Sequence, residues 1–270
     1  VIVLDGAMGT LLTHRGVPTP APLWSAHAVL HHPEAVAQVH RDYAAAGATV
    51  HTAATFRART ESAGALAGPL TAAAVRLARQ AIPADHRVAG SLAPVNDCYR
   101  PDLSPPDAGP AHEAFAELLA STGVELILVE TFAHPGEAVA ATRAAARTGL
   151  EVWTALTPGH DGSLLDPDRL GEAARQVRAA GAQIVLVNCL PAMEAAPWIE
   201  ALRRTGGPWG VYANAGRPDH GLWHGTPGAA TRYGALARGW MDLGAAVVGG
   251  CCGTGPEHLL AIDSARASEG

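Results

Sequence analysis

Short apolar runs rich in β-formers alternate along the chain with longer segments in which Ala, Leu and Arg recur at helical spacing. The runs are Val1 to Leu4, Thr49 to Thr52, Arg87 to Ser91, Leu126 to Val129, Val152 to Ala155, Ile184 to Val187, Gly210 to Tyr212 and Ala246 to Val248. Several are nearly continuously apolar, as strands buried on both faces of a parallel sheet must be. Between them Pro33 to Ala46, Leu70 to Gln80, His112 to Thr122, Pro135 to Arg147, Asp168 to Ala180, Ala192 to Arg204 and Ala229 to Leu243 read as helices. Gly47, Gly123, Gly149, Gly181, Gly206 and Gly244 lie one or two residues past such segments, where a helix end favours a left-handed residue. Eight β/α pairs in about 250 residues predict an α/β fold, a single (β/α)8 TIM barrel, with a doubly wound open sheet as the alternative. The Pro-rich piece Pro101 to Pro110 reads as a strand-to-helix loop rather than a linker, so residues 1–270 are expected to form one domain.

Composition removes several function classes. Of 270 residues 48% are hydrophobic and 16% charged, yet no apolar run reaches the ~18 residues of a membrane span, so no membrane association is expected. The net charge is −6 with both signs interspersed, which argues against a nucleic-acid partner. All 19 basic residues are Arg. The absence of Lys excludes lysine Schiff-base and pyridoxal-phosphate chemistry and the phosphate loop ending in Gly-Lys-Ser/Thr. The cysteines are Cys98, Cys189, Cys251 and Cys252, and no secretory-signal pattern precedes them, so reduced thiols and a cytoplasmic location are expected. A homo-oligomer is compatible with the sequence.

In a barrel the residues just after each strand converge on one face, and chemistry belongs there. Those positions hold Asp5, Thr55, Asn96, Glu130, Asn188 with Cys189, Asn214, and Gly249-Gly-Cys-Cys-Gly253. The sixth and eighth strand ends are near neighbours in such a barrel, so Cys189 can meet Cys251 and Cys252, whose flanking glycines let both sulfurs face one point. Soft thiolates favour Zn2+, and three ligands rather than four leave the open position of a catalytic site. Cys98 is a candidate fourth ligand, although an unligated loop thiol is the plainer reading. Taken alone, Cys251-Cys252 is also two small buried residues in a tight turn, or a vicinal disulfide; Cys189 at another strand end weighs against both.

Asp5-Gly-Ala-Met-Gly-Thr10, Val129-Glu-Thr-Phe132, Val187-Asn-Cys189 and Gly249-Gly-Cys-Cys-Gly253, in this order along essentially the whole chain, resemble the homocysteine S-methyltransferase family. The resemblance implies a (β/α)8 barrel with zinc on Cys189, Cys251 and Cys252. It implies a small-molecule thiol acceptor, homocysteine or a related thiol or selenol, and a methyl donor. A small onium, S-methylmethionine or S-adenosylmethionine, is the expected donor, since no cobalamin or folate module is present; betaine stays open.

Asp5 and Glu130 are the candidates for the acceptor's ammonium, against a turn-capping role for Asp5 and a structural ion pair for Glu130. Backbone N–H groups of Gly6, Ala7 and Met8 are expected to take its carboxylate, as in the family. Asn188 is expected to orient the ligand beside it, and Asn214 matches a family asparagine near the zinc. Tyr99, in the loop Asp97 to Asp102, is placed to face a cationic donor; Trp24, Phe56, Phe132 and Trp223 are weaker candidates for the same role and more ordinary as packing residues. Thr254-Gly-Pro-Glu257 reads as a helix start. Leu11, Leu12 and Arg217 stand where many relatives carry Glu, which leaves a methyltransferase for a non-homocysteine substrate as an alternative; a reading from another class is a zinc- or thiol-binding module working with a separate corrinoid protein.

Overall fold

A computed structural model describes residues 1–216 and 228–267. Eight strands carry the fold: β1 (Ile2–Val3), β2 (Val50–Thr52), β3 (Arg87–Leu92), β4 (Leu126–Phe132), β5 (Glu151–Leu156), β6 (Ile184–Pro191), β7 (Trp209–Asn214) and β8 (Val247–Gly250). All pair in parallel, in the order β1-β8-β7-β6-β5-β4-β3-β2, and a parallel bridge between Leu4 and Val50 brings the two edges together. The architecture is therefore the barrel rather than the open sheet. Around it lie α1 (Met8–His14), α2 (Ser25–His31), α3 (Pro33–Ala45), α4 (Thr60–Ala63), α5 (Ala67–Ala81), α6 (Gly109–Ser121), α7 (Pro135–Ala146), α8 (Pro167–Ala179), α9 (Ala196–Arg203), α10 (Ala229–Asp242) and α11 (Pro256–Ala267). None of these helices is long and apolar enough to cross a membrane.

Alternation along each strand builds two cores. Leu4, Val50, Leu126, Leu128, Trp153, Leu186 and Val247 point inward and fill the barrel. Their neighbours, such as Ile127, Val129, Val152 and Val187, face outward and pack beneath the helices. Trp153 donates to Glu151, which also pairs with Arg87 at 2.5 Å, and these groups gather at the strand starts. The opposite, C-terminal mouth is the face on which site residues of such a barrel are expected.

All six glycines expected at helix ends have positive φ. Pro sits in the first turn of α3, α7, α8 and α9, and Asp166 caps α8 by accepting from the Arg169 N–H at 2.9 Å. Three boundaries depart from the sequence reading. The span Ala192 to Arg204 is a 3-10 turn, Ala192–Glu194, followed by α9. The segment before α3 folds into α1 and α2, seven residues each, too short to show a helical period beside the Pro-rich stretch that separates them. Strands β4 and β6 run past their expected ends because register shifts at Val129/Phe132 and Asn188/Pro191 let pairing resume, so Glu130, Asn188 and Cys189 lie within bulged strands.

Candidate active site at the barrel mouth

The bulge in β6 turns one thiol toward β8. Cys189 has φ 57° and Thr131, in the matching bulge of β4, φ 66°, a conformation that costs a non-glycine residue on the order of 1–3 kcal/mol. Asn188 ties the two bulges together by donating to Thr131 Oγ1 at 2.9 Å. On β8, Gly250 leaves room for Thr254: a Cβ there would lie 2.3 Å from Thr254 Oγ1, which itself donates to the Cys251 carbonyl at 2.7 Å. Gly253, at φ 76°, completes the turn. The Tyr233 hydroxyl of α10 lies 2.8 Å from the carbonyl oxygens of both Ala213 and Gly249, locking the ends of β7 and β8 together.

These constraints place Cys251 Sγ 3.3 Å and Cys252 Sγ 3.8 Å from Cys189 Sγ. All three sulfurs lie within 4.8 Å of one another, a donor set suited to a soft metal ion. Thiol hydrogen bonds from Cys189 and Cys251 hold Cys252 well below the ordinary cysteine value. The Tyr99 hydroxyl approaches Cys189 Sγ at 2.9 Å, and its ring lies against His160, 4.1 Å between centroids. Cys98 is buried in the same cavity but stands outside this group of three.

A second pole of the cavity holds two carboxyl groups. Asp5 accepts from the Thr52 N–H at 2.8 Å and the Thr52 hydroxyl at 2.9 Å. Glu130 accepts from Ser91 Oγ, and from the Tyr212 hydroxyl at 3.1 Å. Both side chains are almost wholly buried, and loss of solvation pushes Asp5 up to about 8 and Glu130 to about 7. No cation of the described chain neutralises either one. The cavity measures about 530 Å³; Trp24, stacked on Phe56 at 5.8 Å, Tyr99 and His160 line it, as do residues Gly6 to Thr10.

The structure gathers Asp5, Gly6, Ala7, Met8, Tyr99, Glu130, Cys189, Cys251 and Cys252 around this cavity. The Ala7 N–H already donates to Thr254 Oγ1 at 3.2 Å, which leaves Gly6 and Met8 as the neighbouring backbone donors to consider. Asn188 and Asn214 do not line the cavity: Asn188 braces the bulges, and Asn214 lies 3.4 Å from His160. Phe132 packs in the outer core beside His112, and Leu11 and Leu12 are buried there too. Trp223 and Arg217 lie outside the described residues. Sequence reasoning missed His160 and the supports Ser91, Tyr212 and Thr254. His160 follows the one strand end, that of β5, for which no candidate had been named, so the convergence rule itself was the available signal.

Comparisons with known proteins agree with this geometry. The sequence profile described as Homocysteine S-methyltransferase matches residues 2–266. The homocysteine S-methyltransferase YbgG of Bacillus subtilis is 30% identical, with 97% of this chain and 93% of that protein aligned. The S-methylmethionine–homocysteine S-methyltransferase BHMT2 of Pongo abelii is also 30% identical, over 100% of this chain and 79% of its own length. Among solved structures, the metallated form of the Escherichia coli homocysteine methyltransferase MmuM superposes with a TM-score of 0.80 at 25% identity, covering 98% of this chain and 96% of that one.

Proposed function

Because the chain belongs to the homocysteine S-methyltransferase family, we propose that Cys189, Cys251 and Cys252 hold Zn2+ and that Asp5 and Glu130 read the amino group of the thiol acceptor. The activity is transfer of a methyl group from a small donor such as S-methylmethionine to the sulfur of homocysteine. Residues 1–270 act in this reading as one barrel unit. One observation carries it: three sulfurs, 3.3 and 3.8 Å apart along the chain of contacts, share a cavity with two buried carboxyl groups that pair with no cation among the described residues.

The donor set fits zinc, because three thiols converge while the cavity leaves a fourth direction open. When bound, zinc on three thiolates makes an incoming thiol ionise at neutral pH and keeps its sulfur nucleophilic. The protein supplies the rest. Asp5 and Glu130 hold the acceptor's ammonium, and the charge-assisted bonds offset the desolvation of both partners. Thr52 orients the first carboxylate; Ser91 and Tyr212 orient the second. The Gly6 and Met8 N–H groups receive the acceptor's carboxylate. The Tyr99 ring receives the onium donor, while Trp24 and Phe56 already hold the Arg57 guanidinium 4.6 and 5.3 Å from their centroids. As methyl transfer proceeds, the cationic donor and anionic sulfur neutralise each other, a loss of charge that a largely apolar cavity favours.

Purified zinc-loaded protein mixed with homocysteine and S-methylmethionine is expected to form methionine, followed by chromatography, with no second protein added. S-adenosylmethionine and betaine are parallel arms, and methyltetrahydrofolate alone is expected to give no product. Turnover only after addition of a corrinoid protein would overturn the complete-enzyme reading. Faster turnover of a thiol lacking the amino group would overturn the roles of Asp5 and Glu130.

A further inference from the structure

Asp5 separates the cavity from a cluster of histidines in the barrel wall. His40 comes from α3 and His51 from β2, and both are fully buried. Among the described residues neither ring nitrogen of His40 has a hydrogen-bond partner, nor does Nδ1 of His51. One nitrogen of each ring and a carboxylate oxygen of Asp5 lie within 4.8 Å of one another. A buried polar group left unsatisfied costs on the order of 1–3 kcal/mol, so two imidazoles that carry such nitrogens and stand this close to a carboxylate call for an occupant.

We propose that Asp5, His40 and His51 form a second metal site, distinct from the cysteines, for a divalent transition ion of the class that imidazole and carboxylate bind: zinc, cobalt or nickel. The surroundings prepare each ligand. Both rings are wholly buried in the barrel wall, where neither is hydrated. His51 Nε2 pairs with His86 Nδ1 at 3.1 Å, which fixes the orientation of the ring. Thr52 uses one lone pair on each Asp5 oxygen and leaves another free. Ligand atoms around an ion with bonds of about 2.0–2.1 Å stand closer than 4.8 Å, so the three side chains draw inward on binding. An ion at this site borders the cavity through Asp5, which lines it. Once there it occupies the carboxylate proposed above for the acceptor's ammonium, so metal and acceptor amine compete; this consequence alone rests on that reading.

The test is equilibrium dialysis of the purified full chain against Co2+, with metal content and absorption spectra recorded. Two equivalents per chain are expected. The cysteine equivalent shows sulfur-to-cobalt charge-transfer absorption in the near ultraviolet, and the other shows none. Cys251→Ser is expected to keep the equivalent without charge transfer. His40→Gln and His51→Asn are each expected to lose that equivalent while keeping the charge-transfer band, with thermal unfolding confirming that each variant folds. Methionine, which brings an ammonium but no thiol, is expected to weaken the second equivalent at least tenfold. If it does not, the ammonium role of Asp5 fails while the metal site stands. A single equivalent in the unmodified protein, or two equivalents retained in both histidine variants, overturns the site.

Discussion

The two poles of the cavity obtain reactive groups by opposite means. At the thiol pole the backbone is strained: Cys189 occupies the left-handed region, and the β8 turn depends on Gly250 and Gly253. At the carboxylate pole Asp5 follows β1, Glu130 sits in β4 beside the left-handed Thr131, and both side chains are held by Thr52, Ser91 and Tyr212 with a lone pair left on each oxygen. What burdens them is missing solvation. In the proposed function a metal ion relieves the first pole by holding three sulfurs at one point, and an arriving ammonium relieves the second by restoring charge to the carboxyl groups. Under that proposal each pole is completed by a ligand of opposite charge, geometry selecting the ion and desolvation selecting the amine.

Removing a sulfur breaks the first pole outright. Cys251→Ser is expected to lose zinc and to lower methionine formation by more than about a hundredfold, since losing even groups that merely brace ligands costs about 10–100-fold. Metal analysis and turnover check this, with circular dichroism expected to show the barrel intact. The second pole answers differently. Asp5→Asn or Glu130→Gln removes a charge-assisted hydrogen bond worth about 1.5–3 kcal/mol, so KM for homocysteine is expected to rise roughly ten- to hundredfold with the zinc retained. A thiol without the amino group is expected to lose much less, which separates recognition of the amine from general damage.

The smallest effect sharpens the contrast through pH. Burial raises Asp5 from 3.8 to about 8, so between those values the folded, metal-free protein binds a proton that the unfolded chain does not. The resulting stability is fully present below pH 3.8 and is lost as pH rises through about 8, an effect on the order of a few kcal/mol at most. Thermal unfolding of metal-free protein from pH 5 to 9 is expected to show a shallower decline in Asp5→Asn than in the unmodified chain. Equal slopes would show that Asp5 is already ionised in the empty site.

Strand and helix order, the glycine ends of helices and the meeting of Cys189 with Cys251 and Cys252 were legible in the amino-acid sequence, because each depends on local periodicity or on the convergence of strand ends that any closed barrel imposes. Asp5 and Glu130 were legible for the same reason. Tertiary structure decided the rest. Only the bulges show that Asn188 braces Thr131 instead of facing the cavity, since one shifted residue sends a strand side chain to the other face. Only packing shows that Ser91 and Tyr212 hold Glu130, and that His40 and His51 meet behind Asp5, because these groups come from separate elements and carry no mutual spacing in the chain. Periodicity tells which face of an element is buried; which polar group it finds there is determined by the neighbouring elements.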